Sequence, residues 1–459
     1  MLYLKYKLKI FIYLILGIWL MSIPNSLAQI SDDSLRQAYE LAKIRNLENQ
    51  LKSLETKVRT LELTELVQSM CQRSILTPVY LGDLKPLLAR QAYNFWISNS
   101  GEKYVSHLNV YAALYYANKD FDFDSINFTA YNQSLGHSES VTSIEFGEDP
   151  NIYYSSGSDG KVIRWDLKDD QKIPTIIYEG NDPIRSVDVS YQDKYLLIVT
   201  RDRGVILIDL EGFGNGEKPT MMHDPEVVQS AIFLPRRQAY VTINRKGELR
   251  AKGYPIDTTM LGKTDSQVLA MAVNPEDDRI FAGTEDGSLK IWDSSENSTH
   301  HFKEPYSVNS LSISSDYRHL VLGREKGDVV IWDLKKNEIQ RIISVHQSAI
   351  SDVDISPDNK LLLTASRDGT TRVWDLNNAK KLPILLDDHM DWVMTATFDP
   401  TGSYIVTGSK DSYIRTWPVE HAVLAERICN YVSRNLTEEE WIEYVGFKIP
   451  YQKTCPSIE

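Results

Sequence analysis

The chain lacks the short motifs that mark the common enzyme classes. It contains no Gly-x-Ser-x-Gly, no His-Glu-x-x-His and no P-loop. Gly212, Gly214 and Gly216 do not follow the spacing of a dinucleotide-binding loop, and the neighbouring His300 and His301 would point to opposite faces of a strand. The sequence therefore predicts no catalytic residue, no metal site and no cofactor.

Positive charge is also scarce. The 459 residues include 50 lysines and arginines against 63 aspartates and glutamates, which gives a formal net charge of −13. Binding to nucleic acid needs an electropositive surface that neutralises phosphates. Nucleic acid is therefore not expected to be the main partner.

An apolar run near the N-terminus is short for a membrane-spanning helix. It covers residues 10–21, follows Lys5, Lys7 and Lys9, and leads to the small-x-small sequence 26–28. This layout predicts a secretory signal peptide over residues 1–28, so the released chain would not stay inserted in a membrane. An uncleaved N-terminal membrane anchor is the alternative.

A regular repeat runs through most of the chain. Seven positions, 40 to 44 residues apart, carry Trp or a substitute: Trp165, Ile208, Lys252, Trp292, Trp332, Trp374 and Trp417. Asp follows four of the five tryptophans. The pattern resembles that of WD40 repeats and covers residues 125–420. The resemblance implies an all-β propeller of seven blades with four strands each, preceded by an α-helical region.

Three repeats keep a fixed set of polar residues. A His lies 28 residues before the Trp and an Asp lies six before it in repeats one, six and seven: His137, Asp159 and Trp165; His346, Asp368 and Trp374; His389, Asp411 and Trp417. In WD40 proteins these side chains join a strand Ser or Thr in a hydrogen-bonded chain, and the resemblance implies the same here. We interpret them as structural, because a buried Asp in a tight turn needs donors.

Repeats two to five depart from this set. The substituted residues are Asn181 and Ile208 in repeat two, Lys246 and Lys252 in repeat three, and Glu304 and Lys326 in repeat five. The polar chain of repeat three is therefore not expected to form. These repeats have either drifted without consequence or become specialised for a partner.

The last blade is expected to close the ring. The residues after Trp417 have a helical pattern, so blade seven lacks a fourth strand on its C-terminal side. WD40 propellers commonly close with an N-terminal strand, and residues 125–132 are predicted to supply it.

Two helical segments are predicted between the signal and the propeller. Residues 29–70 form one long helix whose apolar residues are spaced by three and four: Ile44, Leu47, Leu51, Leu54, Val58 and Leu61. This spacing favours either a coiled coil, and hence a homo-oligomer, or a helix that folds back onto its neighbours. Residues 71–124 are predicted to form a helical hairpin and connector, because the small and aromatic residues there favour close packing of two helices.

The tail at residues 421–459 contains two of the three cysteines. In an oxidising compartment, a disulfide between Cys429 and Cys455 would hold together a helix and loop that lack a core of their own. The tail also resembles the C-terminal tails of bacterial WD40-repeat proteins. Cys71 is then left over and is expected to be a buried small apolar residue.

The face that carries the turn Asp residues is commonly the partner-binding face of WD40 proteins. The residue before each turn position is basic in four of the seven repeats, as Arg201, Arg245, Arg367 and Lys410, and Trp392 is expected nearby. An aromatic residue beside cations is typical of an interface hot spot. The alternative is a set of solvated rim charges and an edge-packed Trp.

These observations lead to a functional hypothesis and two alternatives. The leading one is a non-catalytic scaffold or adaptor, exported to a bacterial periplasm or cell surface, whose propeller face binds a protein partner. The second is a sensor that holds a small molecule or peptide in the central channel. An enzyme comes third, and a cluster of titratable residues inside the channel would revive it.

Overall fold

The computed structural model of the chain describes most of the regions for which elements are predicted. It describes residues 33–99, 107–121, 133–168, 173–211, 221–235, 239–253, 258–293, 298–303, 305–376 and 382–458. The predicted signal at 1–28 and the predicted closing segment at 125–132 lie outside these residues, as do Glu304 and the glycines at 212–216.

Three helices precede the strands. They are α1 (Asp33–Leu76), α2 (Leu84–Ser98) and α3 (His107–Phe121). The predicted boundary at residue 70 is wrong, because α1 continues for six more residues. No Pro or Gly lies between Asp33 and Pro78, so neither residue type ends the helix earlier.

The described strands form seven antiparallel sheets of four strands each, which confirms the predicted seven-bladed propeller. Blade 1 is β2 (Val141–Phe146), β3 (Ile152–Gly157), β4 (Lys161–Asp166) and β5 (Thr175–Glu179). Blade 2 is β6 (Ile184–Val189), β7 (Tyr195–Thr200), β8 (Val205–Asp209) and β9 (Met221–Asp224). Blade 3 is β10 (Val228–Leu234), β11 (Ala239–Asn244), β12 (Glu248–Gly253) and β13 (Thr258–Lys263). Blade 4 is β14 (Val268–Val273), β15 (Ile280–Thr284), β16 (Ser288–Asp293) and β17 (Ser298–Lys303).

The remaining blades follow the same order. Blade 5 is β18 (Val308–Ile313), β19 (His319–Arg324), β20 (Asp328–Asp333) and β21 (Glu338–Ser344). Blade 6 is β22 (Ile350–Ile355), β23 (Leu361–Ser366), β24 (Thr371–Asp375) and β25 (Ile384–Leu386). Blade 7 is β26 (Val393–Phe398), β27 (Tyr404–Ser409), β28 (Tyr413–Pro418) and β1 (Gln133–Leu135).

Burial follows from the way the blades stack in a ring. The first strands of neighbouring blades contact one another all the way round, so they form the wall of a central channel. Second strands are covered on both faces by adjacent blades, and all six residues of β23 are buried. The fourth strands lie outermost, and most of β21 is exposed.

The ring closes in blade 7, as predicted, through an N-terminal strand. The described closing strand is β1, in which Gln133 lies opposite Arg415 and Leu135 opposite Tyr413. This strand begins just after the predicted segment 125–132. Its last residue lies only two positions before His137, so the chain passes directly from the closing strand into the first polar chain.

The helical hairpin packs on blade 7 and on the tail. The rings of Tyr115 and Trp417 lie 5.7 Å apart between centroids. The Tyr111 hydroxyl donates to the Pro418 carbonyl at 2.8 Å, and the Asn118 amide donates to the Leu424 carbonyl at 3.0 Å. One apolar cluster therefore runs from the end of α1 through α2 and α3 into blades 6 and 7 and the tail.

The long helix α1 packs against its neighbours along only part of its length. Val67, Met70 and Cys71 are buried, because this end of α1 packs against α2 and α3. Farther toward the N-terminus the apolar stripe is exposed, with Ile44 and Leu54 each 50% accessible. The first half of α1 thus presents an uncovered apolar face.

The tail forms two helices, α4 (His421–Tyr431) and α5 (Glu438–Tyr444). A disulfide joins Cys429 and Cys455, whose Cα atoms lie 5.4 Å apart. Cys71 is the buried cysteine without a disulfide, and burial raises the pKa of its thiol to about 12. The thiolate needed for nucleophilic or redox chemistry is therefore suppressed at Cys71.

Candidate partner-binding face

Three blades contain the predicted polar chain, which stabilises one face of the propeller. In blade 7, His389 Nδ1 lies 3.0 Å from the Asp411 carboxylate, and its Nε2 lies 2.7 Å from the Thr407 hydroxyl. The Trp417 indole N–H donates to the same hydroxyl at 3.1 Å. Blade 1 repeats the arrangement through Ser155, and blade 6 repeats it through Thr364.

The turn aspartates of these chains stay ionised. Burial acts to raise the pKa of Asp411, but hydrogen bonds from His389 and from two backbone amides outweigh it and lower the pKa to about 2. Burial lowers the pKa of His389, so the imidazole is held neutral. The turns that carry Arg367 and Lys410 are therefore tied to the blade interior by charged hydrogen-bond acceptors.

Blade 3 lacks the chain of His, Asp and Trp, as its substitutions predict, and contains a different polar chain that the sequence analysis did not predict. Lys252, at the Trp position, is 4% exposed, and its ammonium lies 2.5 Å from Asp224 and 2.7 Å from Glu226. Asp224 lies 28 residues before Lys252, at the His position. The two substitutions compensate each other, because a buried cation replaces the indole and a carboxylate replaces the imidazole.

Blade 5 likewise replaces the polar chain with charges. Arg324 and Asp328, which are 2% and 4% exposed, form a two-pronged ion pair with both distances at 2.7 Å. Lys326, at the turn Asp position, lies over the ring of Tyr306 at 4.9 Å. Blades 3 and 5 thus contain buried salt bridges in place of the chain of His, Asp and Trp.

Two of the predicted basic residues surround Trp392. The Arg367 guanidinium lies 5.3 Å from the Trp392 ring centroid, and the Lys410 ammonium lies 4.6 Å from it. Trp392 is 42% exposed, and Met390 beside it is 88% exposed. These four residues are named here the Trp392 cluster. Three of them, Arg367, Met390 and Trp392, border a cavity of about 350 Å³ between blades 6 and 7.

The other two predicted basic residues lie together over blades 2 and 3. The Arg245 guanidinium is 3.2 Å from the Asp202 carboxylate and 3.4 Å from the Arg201 carbonyl. Partial burial, together with the nearby charges of Arg201 and Arg245, lowers the pKa of Arg185. The five candidate residues therefore form two groups, one on blades 6 and 7 and the other on blades 2 and 3, with blade 1 between them on one side of the ring.

Sequence reasoning missed several members of these groups. Arg185 lies on a first strand, and Lys263 lies at the end of a fourth strand, so neither has the spacing used to find the turn residues. The contact between Lys326 and the ring of Tyr306 in blade 5, outside the two groups, was missed as well. A search for aromatic residues just before first strands would have found Tyr306, since Trp392 occupies the corresponding stretch of blade 7.

The channel wall contains carboxylates, which is the observation that would revive an enzyme. Glu145, Asp188, Asp352 and Asp354 lie on first strands at alternating positions. Burial raises the pKa of Asp352 to about 6 and that of Asp188 to about 7. Burial and the three aspartates raise the pKa of Glu145.

Three of these carboxylates bridge neighbouring blades. Asp352 accepts from the Ser310 hydroxyl of blade 5 and from the Thr395 hydroxyl of blade 7, each at 3.0 Å. Asp188 accepts from the Phe233 amide of blade 3 at 2.6 Å. Their lone pairs are used in holding the ring together, so their geometry is that of structural residues.

Among the described residues, no three His, Cys, Asp or Glu side chains are arranged to hold a metal ion. None of the described helices has a stretch long and apolar enough to cross a membrane.

The sequence matches the family described as WD domain, G-beta repeat in four segments, residues 130–166, 255–293, 337–375 and 380–418. Each segment begins before or on the outer strand that completes the preceding blade and ends with the third strand of the next. Blade 4 is among the matched repeats, although it was grouped with the altered ones. Its matched segment ends at the Trp292-Asp293 pair.

The chain is also similar to curated proteins. It is 21% identical over 254 residues to "Eukaryotic translation initiation factor 3 subunit I" of Drosophila pseudoobscura pseudoobscura. It is 22% identical over 254 residues to the protein of the same name from Drosophila willistoni. The alignments cover 52% of this chain and 65% and 66% of the relatives, so the chain spans less than two thirds of their length.

Proposed function

This chain is a WD40-repeat propeller, and we propose that it is a non-catalytic scaffold that binds a protein partner through the Trp392 cluster. WD40 propellers are generally protein-interaction scaffolds. The observation that supports this site is an exposed indole held between two cations, Arg367 and Lys410. A rigid aromatic ring loses little conformational entropy on binding, and Trp and Arg are the residues most enriched at hot spots.

The setting of the cluster supports the same proposal. The Lys410 amide donates to the Trp392 carbonyl at 2.9 Å, which fixes the backbone of Trp392 beside the cavity. The turn at Asp411 is fixed by the polar chain of blade 7. A partner side chain entering the cavity would meet a site that needs little reorganisation before binding.

We further propose that the chain is exported and self-associates. The signal-like sequence at residues 1–28 supports export, and the disulfide between Cys429 and Cys455 fits an oxidising compartment. The exposed apolar stripe of α1 supports self-association. The acidic net charge supports a protein partner over nucleic acid.

The channel gives less support to a sensor or an enzyme. Of its four carboxylates, Asp188, Asp352 and Asp354 accept hydrogen bonds from neighbouring blades. A ligand that took those lone pairs would have to displace contacts that hold the ring together.

The proposed function is tested by affinity capture from the cell-envelope fraction of the native host, with residues 29–459 as bait. We expect a defined partner to be retained by the wild type and lost with Trp392→Ala, because truncating a hot-spot residue costs about 2 kcal/mol or more, roughly 30-fold in affinity. Phe447→Ala is the matched control, since Phe447 is an 85% exposed aromatic residue of the tail. Capture that is unchanged by Trp392→Ala, or lost equally with Phe447→Ala, would contradict the proposal.

A further inference from the structure

A second cavity on the same face is lined by cations. It has a volume of about 460 Å³ and is bordered by Arg185, Arg245, Lys246 and Lys263, with Asp265 as the acidic residue among its lining side chains. This concentration of positive charge lies on a chain whose net charge is −13. A volume of several hundred Å³ is that of a ligand site and accommodates a few amino-acid side chains.

Three of the four cations of this cavity form no salt bridge within the described part of the chain: Arg185, Lys246 and Lys263. The fourth, Arg245, pairs with Asp202 in an exposed contact of 3.2 Å. Burial lowers the pKa of Arg185, and the nearby charges of Arg201 and Arg245 lower it further. Like charges held this close repel one another, and an anion between them would relieve that repulsion.

Two further features belong to a preformed site. Gln229 also lines the cavity, and the N–H group of its side-chain amide can donate to an anion. Gly247, with φ of +74°, brings the backbone so close that a Cβ there would lie 1.9 Å from the Thr264 carbonyl oxygen. The loop from Lys263 to Gln267 is therefore held tightly against the turn at Lys246.

We propose that this cavity binds a carboxylate-bearing segment of the protein partner. The proposal rests on the protein-binding function proposed above and adds the chemistry of the partner. Guanidinium groups bind carboxylates through paired N–H donors, and the amide of Gln229 would complete the polar set. Asp265 in the rim disfavours a densely charged phosphate cluster and is compatible with spaced single carboxylates.

The test uses decaglutamate as the probe, with decalysine for comparison, and measures binding by fluorescence anisotropy at low and at physiological salt. We expect decaglutamate to bind and added salt to weaken the binding. The double variant Lys246→Glu and Lys263→Glu should weaken it roughly tenfold or more, because repulsion replaces attraction. Lys335→Glu with Lys336→Glu makes the same charge change in the exposed β20–β21 turn of blade 5 and should have a smaller effect.

Equal loss in the two double variants would overturn the proposal, as would no detectable binding of decaglutamate. If capture of a partner depends on Trp392 while the Lys246 and Lys263 variant binds that partner normally, the cavity proposal fails and the scaffold function stands. If decaglutamate binds as expected but no partner depends on Trp392, the scaffold proposal fails by itself.

A separate observation concerns the exposed stripe of α1. Its heptad positions a and d are Ile44, Leu47, Leu51, Leu54, Val58 and Leu61. Val58 and Leu61 are 41% and 59% exposed, although apolar residues of these types usually lie in a core. Two of the three a residues are β-branched and all three d residues are Leu, the combination that favours two-stranded coiled coils.

The flanking charges select an orientation. The three e positions are Glu48, Glu55 and Glu62, and the g positions are Lys43, Gln50 and Lys57. In a parallel pair, g faces the following e of the other helix, which places Lys beside Glu twice and creates no like-charge contact. In an antiparallel pair, e faces e and g faces g, so Glu would lie beside Glu and Lys beside Lys.

We propose that two copies of this chain pair through residues 44–61 as a parallel, in-register coiled coil. This proposal rests on the self-association proposed above and adds the number and direction of the chains. Both propellers would then lie at the same end of the paired helices, so one assembly presents two partner-binding faces. A partner with two sites would gain affinity through effective concentration.

The test combines light scattering with disulfide cross-linking of Leu47→Cys and Leu61→Cys in residues 29–459. We expect a two-chain mass, and each variant should cross-link to itself because matched d residues face each other. Asn49→Cys, on the opposite face, is the control and should not cross-link. Cys71 does not interfere, because it is buried.

A single-chain mass would overturn both self-association and its orientation. A two-chain mass in which neither Leu47→Cys nor Leu61→Cys cross-links to itself would overturn the parallel, in-register arrangement alone.

Discussion

Trp417→Ala is expected to lower the free energy of unfolding by about 3–5 kcal/mol, the range for a fully buried aromatic residue replaced by Ala. Trp417 is 1% exposed, donates to Thr407 and packs on Tyr115 of the helical hairpin. It therefore connects blade 7, which closes the ring, to the helices before it. Urea unfolding followed by both tryptophan fluorescence and far-ultraviolet circular dichroism measures the change.

Trp392→Ala is the control for this prediction, because it removes the same side chain from an exposed site. Its expected effect on stability is about 0.5 kcal/mol or less. Similar losses in the two variants would mean that the Trp392 cluster holds the fold together and is not primarily a binding site. A stable Trp417→Ala chain would contradict the described packing of blade 7.

Lys252→Ala is expected to cost about 3 kcal/mol of unfolding free energy, because removing one partner of a buried ion pair leaves uncompensated charge. The Lys252 side chain is 5% exposed, and the carboxylates of Asp224 and Glu226 that it would leave behind are 16% and 25% exposed. The loss should shrink as pH falls toward the ordinary pKa range of carboxyl groups, since protonation removes the unpaired charge.

The matched control is Lys336→Ala, whose ion pair with Glu338 is 61% exposed on both sides. Its expected effect is below about 1 kcal/mol. Denaturant unfolding at neutral and at acidic pH distinguishes the two variants. A Lys252→Ala chain as stable as the control at neutral pH would show that the charged chain of blade 3 does not replace the indole chain.

The ring could be predicted from the sequence because it depends on local spacing. A blade must bring its third strand back to the same place in each repeat, so the seven positions from Trp165 to Trp417 follow one another at intervals of 40 to 44 residues. The offsets of His389 and Asp411 from Trp417 follow from the same geometry.

The charged chain of blade 3 could also have been found. Asp224 stands at the offset of the missing His, and Lys252 stands at that of the missing Trp. Each substitution taken alone reads as a loss. Only the two offsets taken together indicate that a salt bridge has replaced the hydrogen-bonded chain of His, Asp and Trp.

Other features depend on contacts that spacing does not encode. Arg185 comes from blade 2 and Lys246 and Lys263 from two different positions of blade 3, and the packing of the two blades brings them to one cavity. The small and aromatic residues of α3 predicted that it packs closely, but not that Tyr115 packs on Trp417 of blade 7.

The most direct test of the scaffold account is site-specific photo-crosslinking in cells of the native host, with a benzophenone amino acid replacing Met390. Met390 is 88% exposed beside Trp392, so the probe would sit at the proposed interface without disturbing the core. The account predicts one discrete protein adduct at this position, lost when Trp392→Ala is added and absent when the probe replaces Phe447. No adduct at Met390, or an adduct that persists in the Trp392→Ala background, would contradict it.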